Sequence, residues 1–280
     1  RFLIHTGLDL PENYTDGQRV PAVIFVGGSG DSVFPDYTDG MMDTFLRRPF
    51  GDRGYALIHY NKRGVGASTG NSRWGSIESR TEDLLAIAEF YRNDPRIDPD
   101  AIGVIGHSQG GWVVTRAGML DSRLSFVISL AGPTTTVWEQ DRGYYEIEFR
   151  CQGMSEEEIA EELQGIDKKH NRFRRSGGWF PFFGFRFMHN VLDYDPRESL
   201  QALLQPTLIA LGEYDNQAPA NASAERLAEI FPNGLPDQIT LHVAPGTDHF
   251  FHVTDIYCLD YMAALDDPFS PEFIEFYTTW

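Results

Sequence analysis

Short apolar runs alternate along this chain with longer amphipathic segments. The runs at 20–26, 55–60, 101–105, 124–130, 206–211 and 238–243 are rich in Val, Ile, Leu, Phe and Tyr and hold few polar residues. Strands with one wet face would alternate apolar with polar; these do not, which predicts a parallel sheet covered on both sides. Helical spacing runs through 79–91, where Leu84, Leu85, Ala88 and Tyr91 share a face, and helices are also predicted at 111–120 and 220–230. Segments of this length supply the crossovers of about a dozen residues that parallel neighbours require. The pattern is therefore βαβ, preceded by a single predicted strand at 2–10.

The rhythm breaks between 133 and 199. An acidic run (155–163) is followed there by a basic run (168–175) and then by the aromatic stretch 179–187. The segment is too short to be a domain of its own, so the expectation is one α/β domain over 1–280 with a cap inserted at about 133–199. Within it, the alternation Phe183, Phe185, Phe187 fits a short strand or extended piece with one buried face. The basic run is expected to be a solvated face paired with the neighbouring glutamates.

Composition narrows the function. The 280 residues include 23 Lys+Arg and 41 Asp+Glu, a net charge of −18, yet 41% are hydrophobic and 13% aromatic. That is enough apolar material for a large core. The acidic field repels phosphate backbones and anionic lipid, which argues against nucleic-acid or membrane-surface partners. No run reaches the roughly 18 apolar residues of a membrane span, so a soluble protein is expected. The charge reads best as a solubility feature. The sequence opens at Arg1 with neither Met nor a signal-like run, so an upstream piece is expected to have been removed or left out, and export stays open. Two cysteines, Cys151 and Cys258, are too few for a disulfide framework and lack CxxC spacing; one disulfide stays open.

The chemistry centres on Gly106-His107-Ser108-Gln109-Gly110, a G-x-S-x-G between a predicted strand and a predicted helix. In that context the serine sits on a sharp turn whose glycines leave room for neighbouring backbone. The following N–H, that of Gln109, opens a helix and can stabilise an oxyanion. A serine nucleophile needs a base and an orienting acid, in the order Ser, Asp/Glu, His for this arrangement. Asp215 follows the run 206–211 and His249 follows 238–243, so both fall in loops at the same sheet edge. Glu213 and His252 are the rivals; Asp215 lies further out on its loop, and His252 lies further from its strand. His242 is inside a strand and is expected to be packed or solvated.

The loop Gly27-Gly28-Ser29-Gly30 is the candidate for the second oxyanion donor. It is not a nucleotide motif, since position 33 is Val where G-x-G-x-x-G needs Gly, and no G-x-x-x-x-G-K-[ST] occurs. Asp248, His249 and His252 lack a third His/Cys cluster, so neither metal nor cofactor is expected. Gly28 and His107, with Trp179 and Phe183 of the aromatic stretch, are the candidates for substrate contact.

Taken together, these segments resemble the α/β-hydrolase superfamily, specifically bacterial esterase-like members related to dienelactone hydrolase and the prolyl oligopeptidase catalytic domain. The likeness covers 21–30, 60–70, 97–111, 130–133, 211–219 and 245–250. Its most diagnostic piece is Tyr60-Asn61-Lys62-Arg63-Gly64-Val65-Gly66-Ala67-Ser68-Thr69-Gly70, similar to the family's Y-D-K-R-G-x-G-x-S-x-G. The resemblance implies a mostly parallel sheet with helices on both faces. It also implies Ser108 as nucleophile, Asp215 as acid, His249 as base, and the backbone N–H groups of Ser29 and Gln109 as oxyanion hole. One departure is that the family's loop usually reads H-G-S-G, whereas here Gly27 replaces the bracing histidine. The expected activity is hydrolysis of small-molecule carboxylic esters with small or medium acyl groups. Amide, peptide or thioester hydrolysis is the alternative, and a non-catalytic scaffold is disfavoured because every triad position is filled.

Overall fold

Alternate residues of a strand point to opposite faces, and in this protein both faces are covered. In the strand Val20–Val26, Ala22, Ile24 and Val26 enter one apolar cluster while Val23 and Phe25 enter the other. That double burial is why the strand runs lack polar alternation. The computed structural model describes residues 2–33, 39–175, 185–259 and 267–280.

Among these residues, seven strands form one sheet: β1 (Thr6–Asp9), β2 (Val20–Val26), β3 (Ala56–Tyr60), β4 (Ile97–His107), β5 (Val127–Leu130), β6 (Thr207–Gly212) and β7 (Ile239–Ala244). Their order is β1-β3-β2-β4-β5-β6-β7. β1 runs antiparallel to β3, with Thr6 opposite Tyr60, and every other pairing is parallel. Chain order reverses between β2 and β4, which opens a crevice beyond their carboxyl ends.

The main helices are α1 (Ile77–Arg92), α2 (Gln109–Leu120), α3 (Val137–Cys151), α4 (Glu156–Arg175), α5 (Ala220–Ile230) and α6 (Pro271–Thr279). α1 starts at a reciprocal cap, with the Ser76 and Ser79 side chains each bonding the other's N–H. Its Leu84, Ile87 and Ala88 join Val113, Val114 and Ala117 of α2 on one face of the sheet. On the other face Phe45, Phe251, Phe273 and Tyr277 pack as an aromatic group, with Phe251 and Phe273 stacked at 4.0 Å. None of the described helices is long and apolar enough to cross a membrane.

Two expectations are corrected, and one left open is answered. The acidic and basic runs form one helix, α4, with Ile159, Leu163, His170 and Phe173 buried along it. Its glutamates sit at the amino end and its arginines at the carboxyl end, each matching the helix dipole. The two runs are thus displaced along the axis, and partners come from elsewhere: Arg174 pairs with Asp193, while Arg150 of α3 reaches Glu156 at 2.7 Å. Residues Phe185–Val191 are helical, so Phe187 stands on a helical turn and not on an extended segment. Trp179 and Phe183 lie outside the described residues. Finally, Cys151 at the end of α3 is bonded to Cys258 in the stretch after β7.

Candidate active site

Ser108 follows β4 directly and precedes the first residue of α2. Its backbone has φ 54° and ψ −124°, a conformation that costs an L-residue about 1–3 kcal/mol. The turn is tight enough to dictate its glycines. A Cβ on Gly106 would lie 2.2 Å from the Gly110 carbonyl oxygen, and one on Gly110 would lie 2.3 Å from that of Val26. The Ser108 N–H donates to the Leu130 carbonyl at 2.8 Å, tying the turn to β5. Gln109, opening α2, has an N–H that needs no partner inside the helix.

Asp215, beyond the end of β6, is fully buried. Its Oδ1 accepts the N–H groups of Gln217 (2.8 Å) and Ala218 (2.7 Å), and its Oδ2 lies 2.7 Å from Nδ1 of His249. A carboxylate only accepts, so Nδ1 carries the proton and Nε2 is left as the basic nitrogen. The rivals are engaged elsewhere: Glu213 accepts from the Gly246 N–H at 2.8 Å, and His252 Nδ1 lies 3.2 Å from Asp248. His242 is stacked on Phe276 at 3.7 Å. The Ser108 hydroxyl makes no hydrogen bond to the described residues.

His107 is buried, with its ring 4.9 Å from that of His249 and 4.8 Å from Phe250. Its Nε2–H donates to the His249 carbonyl at 3.1 Å. Burial, with His249 adding to it, lowers its pKa to about 3, so it is neutral at ordinary pH. Its side chain thus supports the imidazole from behind.

The loop at Gly27 to Gly30 is held by two cations that sequence reasoning did not single out. Arg80 of α1 donates at 2.5 Å both to the Gly27 carbonyl and to Oε1 of Gln109. Lys62 donates to the carbonyls of Gly28, at 2.9 Å, and Gly30. Burial lowers the Lys62 pKa to about 7, with Arg80 adding to the shift and Asp31 opposing it. Ammonium and amine both keep enough N–H groups for the two carbonyls. Bracing thus comes from below the loop, where the family's histidine is missing. The turn after β3 that presents Lys62 explains its own glycines: a Cβ on Gly64 would meet Asn71 Cα at 2.8 Å, and one on Gly66 would meet Asn61 Nδ2 at 2.7 Å.

Ser29, Ser108 and Gln109 meet at a cavity of about 240 Å³, walled on one side by Trp112, Val137, Phe187, Met188 and Val191. A second cavity of about 250 Å³, lined by Lys62, Arg63, Arg73 and Arg80, shares Gln109 and Phe187 with it. A larger one, about 660 Å³, is lined by Phe126, Pro206 and Gln238 at the amino ends of β5, β6 and β7, away from Ser108. Among the described residues no group of three or more His, Cys, Asp or Glu is placed to hold a metal ion.

Comparison with known proteins agrees with this architecture. The alpha/beta hydrolase family matches over residues 23–255. A mitochondrial palmitoyl-protein thioesterase of Homo sapiens is 28% identical over 117 residues, 42% of this chain and 34% of that protein. Dipeptidyl-peptidase 5 of Porphyromonas gingivalis is 25% identical over 134 residues, 45% of this chain and 19% of that one. The chain thus spans only about a third or less of these relatives' lengths. Among solved structures, Est1E from Butyrivibrio proteoclasticus with ferulic acid bound has a TM-score of 0.61 at 16% identity, covering 99% of this chain and 94% of that one. That likeness is one of fold.

Proposed function

This chain belongs to the alpha/beta hydrolase family, and on that premise we propose that it is a serine hydrolase acting on carboxylic esters of small or medium acyl groups. The observation that carries the reading is the strained Ser108 lining a cavity, on the same sheet edge as a buried Asp215–His249 pair at 2.7 Å. Ser108 Oγ attacks the acyl carbonyl while His249 Nε2 takes its proton. Asp215 holds the imidazole in the required tautomer and stabilises the imidazolium. The N–H groups of Ser29 and Gln109 stabilise the tetrahedral oxyanion, each worth about 2.7–4 kcal/mol. His249 then protonates the leaving alcohol, and water repeats the sequence on the acyl-enzyme. α3, α4 and the helix Phe185–Val191 act as the cap, and Val137, Phe187 and Met188 bring its apolar side chains to the cavity.

Fluorophosphonate labelling and a chain-length series of p-nitrophenyl esters test the assignment. Ser108→Ala should abolish labelling and lower kcat by roughly 10⁶-fold; full activity in that variant would sink the reading. Thioester hydrolysis is the second reading, supported by the thioesterase relative, and matched oxygen ester, thioester and anilide rates separate the three leaving groups.

A further inference from the structure

The wall of the nucleophile cavity contains a side chain that the hydrolytic steps leave unused. Among the described residues that line it, Asp141 of α3 is the one with a charged side chain. Its Oδ2 lies 2.7 Å from Nε2 of His170 on α4, and because a carboxylate only accepts, the imidazole donates. His170 is 1% exposed and locked in place: its ring meets Trp138 edge-on at 4.6 Å, and the Arg174 guanidinium covers Trp138 at 4.4 Å. Its Nδ1 is buried with no hydrogen-bond partner among the described residues. An orphaned buried nitrogen is costly, and packing alone would be served better by an apolar ring.

Asp141, by contrast, has 26% of its side chain exposed, and its Oδ1 accepts nothing from the described residues. One carboxylate oxygen is anchored and the other is left over, on a residue that lines the cavity. The pair inverts the logic of Asp215 and His249, where a buried carboxylate fixes an imidazole; here a buried imidazole fixes a carboxylate. The neighbouring amide of Gln140 is already committed, donating to the Gln217 carbonyl at 2.5 Å.

We propose that Asp141, oriented by His170, makes the enzyme selective for esters that carry a hydrogen-bond donor, a hydroxyl or an ammonium, on an apolar body. The apolar body packs on Trp112, Phe187 and Met188, and the donor meets Oδ1. A site built around a polar group discriminates strongly against analogues that leave that group unmatched, whereas an apolar wall alone tells neighbours apart only weakly. A carboxylate in a half-closed cavity also disfavours anionic substrates. His170 is a positioning residue and touches no substrate.

This inference rests on Ser108 as the nucleophile of the same cavity, and the test separates the two. The measured quantity is the ratio of kcat/KM within matched pairs. On the acyl side, methyl 3-(4-hydroxyphenyl)propionate and its 4-aminomethyl analogue are each set against methyl 3-phenylpropionate. On the alcohol side, 2-(4-hydroxyphenyl)ethyl acetate is set against 2-phenylethyl acetate. A ratio of at least about tenfold in one pair is expected, the size of a single charge-assisted hydrogen bond. Asp141→Asn should bring that ratio towards one, and His170→Phe should lower it part of the way. The two effects should be non-additive in the double variant. A ratio taken on one preparation cancels any loss of folded protein. The same pairs titrated calorimetrically into Ser108→Ala should show the same preference in affinity. Ratios near one in every pair, or a ratio unmoved by Asp141→Asn, overturn the proposal; a binding preference without Ser108-dependent turnover overturns the hydrolase reading alone.

Discussion

Three residues other than glycine among those described have positive φ: Ser108 (54°), Ala131 (49°) and Phe251 (65°). Ser108 and Ala131 stand immediately beyond β4 and β5, and Phe251 lies two positions after His249. Backbone strain is therefore gathered at the edge that holds the cavity, held there by bonds such as Ala131 N–H to the Ala210 carbonyl at 2.8 Å. His107 stores a different strain. It is neutral in the folded protein down to about pH 3, whereas an unfolded histidine takes up its proton near 6.5. Between those values the unfolded chain binds the extra proton, so folding stability falls as pH drops, by up to about 1.4 kcal/mol per unit from this group. Urea midpoints at pH 6.5, 5.5 and 4.5 should accordingly decline less steeply in His107→Gln than in the parent protein.

At the scale of elements, the Gly27 to Gly30 loop and the start of α2 are joined through one guanidinium, because Arg80 reaches both the Gly27 carbonyl and Gln109. Arg80→Gln should loosen the spacing of the two proposed oxyanion donors. The expected outcome is a kcat lowered by roughly tenfold or more with KM little changed, a loss confined to the transition state, and Arg80→Lys should recover part of it. Steady-state kinetics on one short ester is sufficient to measure it. Nothing in the sequence marked Arg80, since its partners lie 53 and 29 residues away. The strands were more legible. Their apolar runs agree with β2, β3, β6 and β7 to within a residue at either end, because double burial leaves few polar positions. The other three differ more: β1 and β5 start four and three residues later than their runs, and β4 starts four earlier, where Ile97 pairs with Val20 ahead of a bulge. Ser108, Asp215 and His249 could be located because each directly follows a strand or sits in the loop after one. Asp141 and His170 could not, since their meeting depends on how α3 packs on α4.

For the molecule as a whole, the charge is −18, yet the cationic side chains Lys62 and Arg80 stand beside the Gly27 to Gly30 loop, bonded to its carbonyls. The Cys151–Cys258 bond closes a span of 107 residues. A loop of about that size restrains the unfolded chain by roughly 4–5 kcal/mol in the entropic account. It also changes what a broken peptide bond means. Ser108 precedes Cys151, whereas Asp215 and His249 lie between the two cysteines. A single cut anywhere from 152 to 214 would leave the proposed nucleophile on one polypeptide and its proposed acid and base on another, with sulfur as the only covalent link. Such a nicked protein, its proposed nucleophile and proposed base on separate pieces, should run as one band without reductant and as two with it. The continuity of the site is then a property of a ring and not of a line.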